Sequence, residues 1–164
     1  MKEFDYTLDY KTLNFTNPET RKLYRIGRGE QGVLIVHPYC DIICNYWRFK
    51  TPEIAQKSAN QIYELFCDYR RIDDFIGMDM CRKFLEMGFT RSRRYANHKT
   101  GRKYVRRPPY YHTGDRGGVA VLSQEPDALT NEKAESARIF KNMRDSVAKD
   151  PTYVRMRKAW RAQE

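Results

Sequence analysis

The feature that most constrains the fold is a pair of consecutive segments with strong helical patterning, at about residues 52–71 and 74–88. The first begins with the helix-start signature Thr51-Pro52-Glu53, and its apolar residues recur on one helical face. The second is apolar or glycine from Phe75 to Met87, outside one narrow polar stripe. A helix of that composition is buried on most sides. The pair therefore predicts two antiparallel core helices, with the second at the centre.

The polar stripe of the second segment consists of Asp79, Arg82, Lys83 and Glu86. Gly88 follows the stripe and is predicted to end the helix, because glycine is the commonest residue just past a helix C-terminus. Thr90 is then predicted to begin a short further helix through Asn97. Cap residues indicate three more helices, which begin at Asn17, at Thr130 or Asn131, and at Asp150.

A small β element is predicted between the first short helix and the core pair. The run GVLIV (32–36) is β-branched, apolar and bounded by Gly32 and Pro38, and residues 41–49 supply a second strand. Residues 105–130 are rich in glycine, proline and charge without any period, which predicts a flexible loop. The sequence therefore predicts one domain, residues 1–164, of the α+β class and mostly helical.

The N-terminal sequence MKEFDYTLDY lacks the apolar core of a signal peptide. No run in the chain approaches the roughly 18 apolar residues that a membrane span needs. These features predict a cytoplasmic protein that does not contact a membrane. The four cysteines are accordingly predicted to be reduced thiols.

The net charge of +10 is unevenly distributed along the chain. Residues 1–90 contain 13 basic and 13 acidic side chains, whereas RSRRYANHKTGRKYVRRPPYYH (91–112) contains eight basic residues, four Tyr, two His and no carboxylate. The C-terminal residues 151–164 add a smaller excess, four basic side chains against one acidic. A concentrated positive charge of this kind is typical of a protein with a phosphate-rich partner.

Basic residues interleaved with tyrosines predict binding of RNA or single-stranded DNA, alone or in a nucleoprotein complex. Arg and Lys neutralise phosphates, while tyrosine rings stack on unpaired bases. A solvated charged loop is the simpler interpretation, but eight like charges without a local carboxylate repel one another. The predicted binding residues are Arg91, Arg93, Arg94, Tyr95, Asn97, His98, Lys99, Arg102, Lys103, Tyr104, Arg106 and Arg107.

Two other classes of function fit the same segment. A small enzyme acting on a nucleotide or phosphodiester would use His98 as its general acid or base, within a pocket of arginines. No ordered set of nucleophile, base and orienting residue accompanies that histidine in the sequence, which weighs against catalysis. Alternatively, a structural or interaction protein would use the segment to bind an acidic protein.

Three weaker motifs are explained without a ligand. The turn GRGEQGV (27–33) has the glycine spacing of a phosphate-binding loop, but a strand pattern rather than a helix follows it. His37, Cys40 and Cys44 lack the fourth ligand of a closed zinc site. The acids at 73, 74 and 79 are typical of a helix N-terminus. No metal and no cofactor is therefore predicted.

Three long strings, YRIGRGEQGVLIV, YWRFKTPEIA and DDFIGMDMCRKFLEMGFTRSRRYANHKTGRKY, resemble a domain-of-unknown-function family with members in phages, bacteria and fungi. The resemblance covers about residues 4–104 and the C-terminal helix from near Glu132, and residues 105–130 look particular to this chain. It implies an intracellular protein and is compatible with a phage source. It implies no activity and no catalytic residue.

Overall fold

Helices dominate the computed structural model, which describes residues 2–105 and 120–164. The helices in these ranges are α1 (Pro18–Arg21), α2 (Tyr39–Cys44), α3 (Pro52–Arg71), α4 (Phe75–Asn97), α5 (Glu132–Ala148) and α6 (Pro151–Gln163). Within the described ranges the one β pairing is an isolated antiparallel bridge between Tyr104 and Val121, and no strand forms. The predicted α+β class is therefore wrong, and the described part of the chain is all-α.

The segment that was predicted as a β element forms turns and a short helix instead. In 32–36 the Val33 amide donates to the Glu30 carbonyl, and the Ile35 amide donates to the Gly32 carbonyl, both at 3.1 Å. The second predicted strand, 41–49, begins inside α2. β propensity mainly reflects packing against a partner strand. Because this apolar β-branched run has no such partner, it folds into turns and buries side chains from them.

Capping explains why the core helices begin where the sequence predicts. The Thr51 hydroxyl accepts a hydrogen bond from the Ile54 amide at 3.3 Å, and Pro52 occupies the first helical position of α3. The Asp74 carboxylate caps α4 in the same way, by accepting from the Gly77 amide at 3.1 Å. Both predicted core helices are thus confirmed, and they pack against each other.

Helix α4 runs without a break through Gly88 to Asn97, so the predicted end at Gly88 and the separate helix from Thr90 are wrong. Gly88 serves a packing role instead. A Cβ atom built at Gly88 would lie 2.5 Å from the ring of Phe140, which is fully buried on α5. The missing side chain therefore lets α4 and α5 approach closely at the centre of the core.

The two C-terminal helices also begin at their predicted caps. The Asn131 side chain accepts from the Ala134 amide at 2.9 Å, and the Asp150 carboxylate accepts from the Tyr153 amide at 3.0 Å. Helix α5 packs on both α3 and α4, while α6 contacts α4 and α5. None of the helices in the described ranges combines the length and apolar composition needed to cross a membrane.

The N-terminal residues before α1 cover one side of this bundle with aromatic rings. Phe4 and Tyr10 stack with their ring centroids 5.3 Å apart, and Tyr10 stacks on Phe15 at 5.9 Å. Phe15 in turn meets the buried ring of Tyr24 edge-on at 6.2 Å. This aromatic layer excludes water from the α4 surface beneath it.

Candidate functional site

The basic segment lies at the C-terminal end of α4 and in the loop that follows the helix. Hydrogen bonds tie this loop to residues after the charged stretch: the Leu122 amide donates to the Lys103 carbonyl at 2.8 Å, and the Glu125 amide donates to the Asn97 carbonyl at 2.8 Å. The segment 91–105 is therefore held against the bundle. Arg106 and Arg107, and the rest of the stretch to His112, lie outside the described residues.

Four cations of the segment are exposed: Arg94, Lys99, Arg102 and Lys103. Among the residues that the structure describes, no ion pair involves any basic side chain of 91–105. Elsewhere, exposed arginines such as Arg71 and Arg138 pair with a carboxylate one turn away on the same helix. The end of α4 and its loop thus present positive charge that no described carboxylate neutralises by direct pairing.

Three predicted binding residues make internal contacts instead of facing solvent. The Arg93 guanidinium donates to the Ala128 carbonyl at 3.0 Å and to the Asn97 side-chain oxygen at 2.6 Å. His98 is only 6% exposed, and its Nδ1 lies 3.3 Å from the Ser123 carbonyl oxygen. These side chains hold the end of α4 against residues 123–128. We therefore assign them a role in positioning the exposed cations.

Tyr95 is 39% exposed and belongs to an aromatic and cationic cluster that the sequence did not reveal. Its ring centroid lies 6.0 Å from that of Phe49, and the Lys133 ammonium stands 5.8 Å from the Tyr95 ring and 5.3 Å from the Phe49 ring. The same ammonium donates to the Lys50 carbonyl at 2.6 Å. Lys133 therefore adds charge beside Tyr95, although no local pattern links it to α4.

Tyr104 supplies a second ring within the basic segment. It is 41% exposed, and the Lys103 ammonium lies 5.6 Å from its ring centroid. Its backbone bridges to Val121, which limits how far the ring can move from the end of α4. We call Arg94, Tyr95, Lys99, Arg102, Lys103, Tyr104, Phe49, Lys50 and Lys133 together the basic–aromatic face.

The glycine-rich turn 27–33 lines a cleft of about 360 Å³ next to the same helix. Arg28 and Arg91 both line this cleft, and the Glu30 carboxylate accepts from the Thr90 hydroxyl at 2.7 Å. Gly32 has a φ of 78°, and a Cβ atom there would lie 2.2 Å from the ring of Phe4. The glycine therefore allows a tight turn against an aromatic ring; the turn was predicted, but the strand predicted to follow it does not form in the described residues. Arg28 pairs with Glu3 at 3.7 Å.

A buried ionic cluster occupies the middle of α4, where the sequence shows only a polar stripe. The Asp79 carboxylate is fully buried and accepts hydrogen bonds from the Tyr24 hydroxyl at 2.5 Å, the Tyr153 hydroxyl at 2.7 Å and the Arg82 Nε at 2.8 Å. Arg82 also donates to the Gly29 carbonyl at 3.2 Å. The cluster therefore joins α4 to α6 and to the glycine-rich turn.

Lys83 is the second cation near this carboxylate, after Arg82, and makes no hydrogen bond in the described structure. Its ammonium is fully buried, lies 3.7 Å from the nearer Asp79 oxygen and faces the rings of Phe4 and Tyr24, at 5.0 and 4.9 Å. Burial, together with the Arg82 charge, lowers the pKa of Lys83 to about 7, although the Asp79 charge raises it.

Asp79 remains ionised because its neighbours outweigh the cost of burial. Desolvation alone would raise the pKa of this carboxyl, but the charges of Arg82 and Lys83 and the Tyr24 hydrogen bond hold it well below its usual range. The phenol of Tyr153 is correspondingly harder to ionise, since burial and the Asp79 charge both raise its pKa. Phe4 closes the cluster to solvent. We therefore assign the cluster a role in the stability of the fold.

The sequence matches the family described as "Domain of unknown function (DUF4385)" over residues 5–163, and the chain belongs to that family. The match confirms the resemblance seen in the sequence. It also runs through residues 105–130, which had looked particular to this chain. Comparison with curated proteins and comparison with solved structures found no match.

Proposed function

We propose that this protein binds RNA or single-stranded DNA through the basic–aromatic face. The observation that supports the proposal is the set of exposed cations at the end of α4 that form no described ion pair, beside two partly exposed tyrosine rings. Unpaired arginine and lysine side chains bind phosphates with release of condensed counterions. The rings offer flat surfaces for unstacked bases.

The chemistry of this face favours single strands over a duplex. Tyr95 and Tyr104 expose part of their rings, whereas bases in a duplex are already stacked on each other and cannot pack on a side chain. The cleft lined by Arg28 and Arg91 also contains the Glu30 carboxylate, and Arg28 pairs with Glu3, so we do not include it in the basic–aromatic face.

The enzymatic alternative, which requires His98, gains no support from the geometry. A general acid or base must come within hydrogen-bond reach of its substrate. His98 is buried and occupied by the Ser123 carbonyl, so it does not share a pocket with the exposed cations. We therefore retain nucleic-acid binding as the proposed function. We expect it to take place in a nucleoprotein complex in the cytoplasm, or in the host cytoplasm for a phage protein.

Charge reversal of Arg94, Lys99, Arg102 and Lys103 to glutamate is expected to weaken binding of labelled single-stranded RNA about tenfold to a hundredfold at 0.1 M salt. Four lost phosphate contacts should also make the slope of log K against log salt shallower by about 3. Arg93 is left unchanged because it donates to the Ala128 carbonyl. Fluorescence anisotropy across a salt titration measures both quantities.

The matched control reverses Lys2, Lys11, Lys57 and Lys149, four exposed lysines without a described ion pair outside the basic segment. It changes the net charge by the same amount, so a general loss of positive charge would affect both variants equally. An equal loss of affinity in the two variants contradicts a specific face. If the wild-type chain binds no nucleic acid at physiological salt, the acidic-protein alternative replaces this proposal.

Tyr104→Ala is expected to lower the affinity for single-stranded RNA or DNA by about 5-fold to 150-fold, because stacking of one base contributes about 1–3 kcal/mol. The salt slope should stay unchanged, since no phosphate contact is removed. Tyr104→Phe keeps the ring and should bind as the wild-type chain does. A loss of equal size in both variants would show that the hydroxyl, and not stacking, matters at this position.

A further inference from the structure

We propose that His37, Cys40 and Asp41 form a binding site for a transition-metal cation of the Zn²⁺ class. One imidazole nitrogen, one sulfur and one carboxylate oxygen from these residues lie within 4.8 Å of one another. Zinc binds these three donor types, which together match its borderline softness better than that of magnesium or calcium. The site shares no residue with the basic–aromatic face and does not depend on the proposed nucleic-acid binding.

The donor atoms lie close together, with His37 and Cys40 approaching different oxygens of the Asp41 carboxylate. The His37 Nδ1 lies 2.8 Å from the Asp41 Oδ2 and 3.3 Å from the Cys40 Sγ, and the sulfur lies 3.9 Å from the Asp41 Oδ1. With metal–ligand distances of about 2.0–2.3 Å, tetrahedral donors stand roughly 3.3–3.6 Å apart. A cation would therefore take one of the two Asp41 oxygens after a small adjustment of that side chain, which is 65% exposed.

The backbone holds these residues in place before any ligand arrives. The His37 carbonyl accepts from the Phe15 amide at 2.9 Å, and the Cys40 amide donates to the Val36 carbonyl at 3.0 Å. Cys40 and Val36 are both buried in the hydrophobic core. Because the three ligands come from five consecutive residues anchored in this way, binding orders little additional chain.

The cluster is open to solvent on one side. The side chains of His37 and Asp41 are 38% and 65% exposed, whereas Cys40 points inward. A cation can therefore approach from outside, and three protein donors leave a fourth position for water or another ligand. On binding, the Cys40 thiol releases its proton to solvent as the metal–sulfur bond forms, and His37 keeps its remaining proton on Nε2.

The third ligand is the part that sequence spacing missed. The spacing pointed to Cys44, but Cys44 is exposed and is not in the cluster, while Asp41 lies four residues after His37 and its carboxylate meets the His37 ring. The competing interpretation is an ordinary ion pair between His37 and Asp41 beside a buried thiol. That interpretation predicts no metal affinity and is separated from ours by experiment.

The test is titration of the reduced, metal-free chain with Co²⁺, followed by absorption spectroscopy, and then displacement by Zn²⁺. We expect one equivalent of Co²⁺ to give a thiolate-to-metal charge-transfer band, which Zn²⁺ removes. Cys40→Ser should abolish the band. Asp41→Asn replaces an exposed residue, should keep the helical circular dichroism, and should weaken Co²⁺ affinity at least about tenfold.

Cys44→Ser is the matched control, because it removes an exposed thiol from the same helix without touching the cluster. Retention of the full band in Cys44→Ser, with loss in Cys40→Ser and weakening in Asp41→Asn, supports the site. A wild-type chain without a charge-transfer band overturns it. So does a band that disappears in Cys44→Ser, or one that Asp41→Asn leaves at full affinity.

Discussion

Asp79→Asn is expected to lower the free energy of unfolding by about 3–5 kcal/mol at neutral pH. Asp79 is the carboxylate that balances Arg82 in a fully buried cluster. Asparagine keeps the shape but removes the charge, so the arginine stays buried without a counter-ion. Removing one partner of a buried ion pair has this cost because the remaining charge cannot be solvated. The Tyr24 and Tyr153 hydroxyls would lose a charged acceptor as well.

Urea unfolding followed by circular dichroism measures the change, with Asp68→Asn as the matched control. Asp68 pairs with Arg71 one turn away, but its side chain is 57% exposed. The same chemical change there should cost less than about 1 kcal/mol, because water already screens that pair. If Asp79→Asn loses no more stability than Asp68→Asn, the cluster does not hold the charges assigned to it.

Lys83→Met is expected to stabilise the fold, by about 1–4 kcal/mol at pH 6. The ammonium is fully buried, makes no hydrogen bond and lies 3.7 Å from a carboxylate that Arg82 already neutralises. Methionine has a similar length and would fill the space between Phe4 and Tyr24 without a desolvation cost. Replacing a buried charge by a well-packed apolar side chain is often stabilising by this amount.

The gain from Lys83→Met should shrink as the pH rises. The pKa of Lys83 is lowered from 10.5 to about 7 in the folded chain. Between about pH 7 and pH 10.5 the unfolded chain therefore binds more protons than the folded chain does. The wild-type protein therefore carries the full cost of Lys83 below about pH 7, and the cost fades as the pH rises toward 10.5. The groups that face this ammonium are Asp79, Arg82, Arg161 and the phenol of Tyr24.

Unfolding measured at pH 6 and at pH 9.5 checks this second expectation. Lys57→Met, on the exposed face of α3, provides the control and should change stability by less than about 0.5 kcal/mol at both pH values. A gain for Lys83→Met that is equal at the two pH values would contradict a buried lysine with a lowered pKa. A large loss of stability in Lys83→Met at pH 6 would mean that the folded chain stabilises the Lys83 ammonium more than its contacts indicate.

Helix starts could be predicted from sequence because their causes are local. The side chains of Thr51, Asp74, Asn131 and Asp150 each accept a hydrogen bond from the backbone amide three residues ahead. This contact requires only the neighbouring chain. The end of α4 could not be predicted in the same way. Gly88 looks like a C-cap in the sequence. In the structure it lies inside the helix, where its missing side chain makes room for the ring of Phe140 from a distant segment.

The β element failed for a related reason. A strand needs a partner, and the run 32–36 finds none, so it buries Val33 and Val36 from consecutive turns. The candidate binding face was predicted in part. The basic residues of 91–105 could be named from the sequence, but which of them are exposed, the inward contacts of Arg93 and His98, and the approach of Lys133 to Tyr95 depend on residues far away in the chain.

The sequence by itself determined which residues begin the helices, which apolar faces are buried and where positive charge accumulates, because these depend on neighbours along the chain. Only the tertiary structure decided which charges stay in water. Arg94 and Lys83 look alike as basic residues of one helix, yet one is exposed and the other lies beneath Phe4. Whether a charge stays in water depends on what packs over it. Phe4, which lies far from Lys83 along the chain, packs over its ammonium.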